Sequence, residues 1–95
     1  MAADGTRVKD QKRELQKIIS KRIEQLCDER QITYYTLAYS SSMAMSSLMN
    51  IIDGASANPG VYSIMKICDG FGITLSEFFD VKEFEDLIIE SRDEK

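Results

Sequence analysis

The chain is expected to fold as an all-α domain, and three observations carry that expectation. Apolar residues recur at helical spacing in segment after segment, as at Leu15, Ile18, Ile19, Ile23, Leu26 and Cys27. No stretch shows the strict alternation of a half-buried strand. Finally, the stretch Leu37–Gly54 reads as two short helices joined by a tight polar turn at Ser41 and Ser42.

The bounds agree with a single folded unit. Ninety-five residues suffice for one hydrophobic core, and 43% apolar with 29% charged residues is a globular composition. No apolar run approaches the roughly 18 residues that span a bilayer, and Met1–Gly5 lacks the apolar core of a signal peptide, so a cytoplasmic location and no membrane partner are expected. The chain has no histidine and only Cys27 and Cys68, too few for a structural zinc site, so no metal and no cofactor are expected. Both thiols read as small core residues. Without a metal cluster, a glycine-rich phosphate loop or a nucleophile paired with a base, an enzyme is not expected.

Taken in order, residues 1–11 are polar and are expected to form a flexible tail, with residues 12–80 as the folded domain and 81–95 as an acidic helix and tail. The first helix runs from about Lys12 to Gln31. Thr33 is a plausible N-cap for a second helix from Tyr34 to about Ser41, with Leu37 and Ala38 facing inward. The third helix spans about Ala44 to Asp53, where Leu48, Ile51 and Ile52 sit at i, i+3 and i+4. That leaves Met45, Ser46, Met49 and Asn50 to face outward.

The connector Gly54–Gly60 closes on Asn58-Pro59-Gly60, a strong turn signal. A fourth helix follows from Val61 to Phe71, ended by Gly72. Thr74 and Glu77 have the spacing of a capping box that opens a fifth helix through Phe78 and Phe79. Val81, Phe84, Leu87 and Ile88 make a further apolar stripe, which either folds back on the domain or pairs with a second copy. Residues from Glu90 onward read as disordered.

Charge is unevenly spread. Residues 1–30 carry a net +2, residues 31–65 only Asp53, and residues 66–95 a net −5. A neutral middle and an acidic end are not the signature of strong nonspecific nucleic-acid binding.

The joint spacing of these residues resembles the lambda-repressor-like, or XRE-type, helix-turn-helix domain over roughly residues 15–80. Ile19–Ile23 with Leu26 and Glu29-Arg30 resembles that family's first helix. Leu37-Ala38, Leu48, Ile51, Gly54, Asn58-Pro59, Ile64, Gly72-Ile73 and Leu75–Phe79 fall at its spacings. The segment Lys66–Thr74 is similar to small single-domain bacterial regulators common in clostridia and their relatives.

The resemblance implies a five-helix domain, here with an extended first helix and an extra C-terminal helix. It further implies a sequence-specific transcriptional regulator that binds double-stranded DNA as a homodimer. Its third helix would enter the major groove, with Ala44, Met45, Ser46, Met49 and Asn50 facing bases. Asn50 would pair with adenine, Met45 would pack on a thymine methyl, and Ser46 would bond to either. Thr33, Tyr34 and Tyr35, with Ser56 and Asn58 in the connector, would meet the backbone. Val81, Phe84, Leu87 and Ile88 are the candidate dimer contacts.

The chain departs from the family pattern in informative ways. Tyr34 stands where glutamine is usual, and Ala55 and Ala57 where lysines often grip phosphate. Cys27 and Ile52 replace an arginine–glutamate pair found in some members. Phosphate binding would then rest on Lys21, Arg22 or Arg30, helix N-termini and hydroxyls. The other reading of the same face is a protein–protein interaction module, since Tyr34, Tyr35, Tyr39, Met43, Met45 and Met49 suit adaptable protein contacts. Core packing for the two outward methionines, and plain helix surface for Asn50, are the simpler readings of those residues.

Overall fold

A computed structural model describes residues 3–55 and 58–93, with side chains for residues 11–55 and 58–89. Six helices follow one another: α1 (Ala3–Arg30), α2 (Tyr34–Ser40), α3 (Met45–Asp53), α4 (Val61–Phe71), α5 (Leu75–Phe78) and α6 (Lys82–Asp93). There is no strand among the described residues. At 1.5 Å per residue the 28 residues of α1 span about 42 Å, close to the molecule's longest extent of 45 Å. The other helices assemble along this rod. α3 and α6 pack on α1, α2 packs on both α3 and α4, and α5 closes against α4.

The core follows the apolar stripes. Ile23, Leu37, Leu48, Ile67 and Phe78 are sealed from solvent, and Ile19, Leu26, Ile51, Ile64 and Phe71 surround them. Cys27 and Cys68 are buried and unpaired. Burial pushes both thiols up; Asp28 adds to the rise at Cys27 while Arg30 opposes it, and Arg22 opposes the rise at Cys68. The folded chain therefore holds these protons more tightly than the unfolded chain does. Stability should be intact below about pH 8.5 and fall as pH rises through the native thiol values. Urea midpoints at pH 8 and pH 10 check this, and a higher midpoint at pH 10 contradicts it.

Three helix ends share one device. Ile32 N–H reaches the Cys27 carbonyl at 3.1 Å, Met43 N–H the Ala38 carbonyl at 2.9 Å, and Ile73 N–H the Cys68 carbonyl at 3.0 Å. This is the Schellman pattern, in which the chain reverses through one left-handed residue and the next apolar residue docks on the core. Ile32, Met43 and Ile73 do pack against it. The left-handed residues are Gln31 (φ 55°), Ser42 (φ 55°) and Gly72 (φ 74°). Only Gly72 adopts that conformation without a Cβ penalty. Ser42→Gly should therefore stabilise the fold by about 0.5–1 kcal/mol, the relieved strain exceeding the added chain entropy. A thermal melt of Ser42→Gly beside Ser42→Ala tests this, and equal midpoints would refute it.

Where α2 ends against α4, a Cβ on Gly70 would collide with the Ser41 hydroxyl. The absence of a side chain at Gly70 lets the two helices meet. Ser41 is itself buried, and its hydroxyl has no hydrogen-bond partner among the described residues.

Three expectations need correction. α1 starts at Ala3 rather than near Lys12, so residues 3–11 are helical. Val8 is the one large apolar residue in this segment, and a single apolar position gives periodicity nothing to mark. α6 likewise runs to Asp93, past Glu90. Ile52, half-buried, packs against the core beside Leu48 and Ile51. Val81 and Phe84 turn into their own domain: Phe84 is 9% exposed, packed edge-on to Phe79 at 5.0 Å and tilted against Phe78 at 6.4 Å. Of the four candidate dimer residues only Phe84 is buried; Val81 and Leu87 are half-buried and Ile88 is exposed, as is its neighbour Ile89.

Candidate nucleic-acid interface

α3 is held from behind and open in front. Leu48 and Ile51 bury its inner face. Its C-terminal carbonyls, which no further turn of helix can satisfy, are taken by α1: Gln16 Nε2 donates to the Ile51 and Ile52 carbonyls at 3.2 Å each, and Ser20 Oγ to Ile52 at 2.9 Å. Sequence reasoning did not single out these two residues. Their signal was a polar pair at i and i+4 beside the buried Ile19 and Ile23. At the other end Ala44 is the N-cap and offers no side-chain bond; its carbonyl accepts from Ser47 at 3.0 Å and Leu48 at 3.1 Å.

The outward face is set by that anchoring. Met45 is 39% exposed, and Ala44, Ser46, Ser47 and Asn50 are exposed, while Met49 is half-buried. On α2, Tyr35 and Tyr39 stand out at 69% and 82% exposure. Met43 and Tyr34 instead pack against the core. Thr33 caps α2: its hydroxyl accepts the Thr36 N–H at 3.1 Å and lies 3.1 Å from the Thr36 hydroxyl. Asn58 is exposed before Pro59, and Ser56 and Ala57 lie outside the described residues.

Glu24 and Asp28 of α1 line one pocket with Tyr34. Burial pushes the Tyr34 phenol up, and Glu24, Cys27, Asp28 and Asp53 push it further in the same direction. No lysine or arginine occurs between Gln31 and Met65. The cations elsewhere have other neighbours. Arg22 donates to the carbonyls of Phe78 and Glu77 at 2.7 Å each, so of the three expected phosphate ligands it is the one committed inside the fold. Arg30 lies over the Phe71 ring at 5.5 Å and Lys66 over Tyr62 at 5.6 Å. Lys21 lines a groove between α1 and α6 with Glu14, Glu83 and Asp86.

The family model described as the Cro/C1-type HTH DNA-binding domain matches residues 22–83, well over half the chain. The chain belongs to that family. Neither the comparison with curated proteins nor that with solved structures returned a match. Within the Cro/C1-type domain, α2 and α3 form the helix-turn-helix, with Ser41–Ala44 as the turn. The matched range starts late in α1 and stops just inside α6, so the first five turns of α1 and most of α6 are additions to it. Among the described residues no helix is long and apolar enough to cross a membrane.

Proposed function

We propose that this Cro/C1-type domain is a sequence-specific bacterial transcriptional regulator, acting in the cytoplasm as a homodimer and laying α3 in the major groove of double-stranded DNA. The observation that carries the proposal is the presentation of α3. Its back is buried at Leu48 and Ile51, its C-terminal end is tied to α1, and its first exposed side chains are small or unbranched, so a groove can approach closely. Two copies would read two half-sites one helical turn apart, and exposed Ile88 and Ile89 offer apolar surface for their contact.

A second reading follows from the charge. Exposed Tyr35 and Tyr39, an outward Met45 and the carboxylates near Tyr34 suit a protein partner better than a phosphate chain. Selection from a random pool of duplexes decides between them. Recovery of a palindrome supports the regulator, and no enrichment by folded protein supports the interaction module. The binding should depend only shallowly on salt, because few cations face the site. The log–log slope should stay well short of about −5, the value for six neutralised phosphates. A steeper slope would contradict this account of the interface.

A further inference from the structure

Resting on the DNA-binding reading above, we infer that α3 prefers A·T to G·C base pairs. The exposed face of α3 includes two rows, each one turn long. Met45 and Met49, at i and i+4, form an apolar row, with Met45 exposed and Met49 at its half-buried edge. Ser46 and Asn50, also at i and i+4, form a polar row beside it, both exposed.

The chemistry of these rows matches one kind of base pair. Thymine offers a methyl group to the major groove, and a thioether chain is a soft, adaptable contact for it. Adenine offers an acceptor at N7 and a donor at N6, and the Asn50 carboxamide supplies the complementary donor and acceptor. Guanine offers two acceptors, which a guanidinium fork or an ammonium reads best. No such group exists on α2, the turn or α3. Cytosine would call for a carboxylate. Asp53 is the one acid there, and it lies at the C-terminal end of α3, away from the first turns that reach base edges.

The test uses the full chain. Random 20-base-pair duplexes are selected, and the winner is titrated beside duplexes changed one base pair at a time. The expected result is a half-site whose constant positions are A·T. Replacing the critical adenine by guanine should weaken binding roughly 5- to 150-fold, the range for one bidentate contact. Asn50→Ala should erase that discrimination while keeping the fold, since Asn50 is exposed. Thymine-to-uracil exchange, which removes the methyl group alone, should weaken binding by the wild type but not by Met45→Ser. Constant G·C positions in the half-site, or an Asn50→Ala protein with unchanged base preference, would overturn the A·T assignment and leave the DNA reading standing. No enrichment by protein that is folded by circular dichroism would overturn the DNA reading, and this inference with it.

Discussion

Truncating Phe78 to alanine should lower the unfolding free energy by about 3–5 kcal/mol, the range for a buried aromatic side chain whose cavity cannot collapse. Phe78 is fully buried and is the largest of the completely sealed side chains. Its ring meets Phe79 edge-on at 5.1 Å and Phe84 at 6.4 Å, so it joins the short α5 to α6. α5 itself is only four residues long and cannot stand alone; what holds it is this ring, its capping box and the bonds from Arg22. A loss of this size is a large part of the 5–15 kcal/mol of a typical domain. Phe79→Ala is the control, because Phe79 is 39% exposed and should cost about 1–2 kcal/mol. Urea unfolding of both variants measures the difference. If Phe79→Ala cost as much as Phe78→Ala, the assignment of Phe78 as the keystone of this corner would be wrong.

That corner also shows which parts of the fold the sequence could announce. The capping box is local: Thr74 and Glu77 sit three residues apart, and both of its bonds form, Thr74 N–H to Glu77 Oε1 at 2.9 Å and Glu77 N–H to Thr74 Oγ1 at 3.1 Å. Helices whose apolar positions share a stripe were equally legible, which is why the inner and outer faces of α3 follow from Leu48 and Ile51. Two kinds of feature were not. Polar helix gives no period, so the early start of α1 was hidden. Contacts between residues far apart give no spacing, so nothing local reveals that Phe84 turns inward or that Glu24 and Asp28 of α1 line one pocket with Tyr34. The left-handed turns at Gln31 and Ser42 were obscured for another reason: the usual signal is glycine, and neither position has one. For the candidate interface, exposure of Met45, Ser46 and Asn50 was readable, whereas the commitment of Arg22 to a distant backbone was not.

Arg22 provides the second large expected effect. Its Nε and Nη2 each donate to a carbonyl at 2.7 Å, those of Phe78 and Glu77, and Nη1 donates to Gln25 Oε1 at 3.0 Å. The carbonyls of a four-residue helix have few partners in their own element, so a cation spanning two of them both satisfies the acceptors and favours the negative end of the helix. Hydrogen bonds from a charged donor contribute about 1.5–3 kcal/mol, and Arg22→Ala should cost about 2–3 kcal/mol. Arg22→Lys should recover less than half, because an ammonium cannot span both carbonyls with a fixed planar fork. The same geometry makes a functional forecast. A guanidinium held at 2.7 Å to protein carbonyls is not free to neutralise phosphate, so Arg22→Ala should leave the salt dependence of DNA binding unchanged when measured well below its melting temperature. Each lost phosphate contact lowers the slope by about 1. A slope reduced by that amount in Arg22→Ala, with stability unaltered, would place Arg22 on the DNA and dissolve the link between α1 and α5.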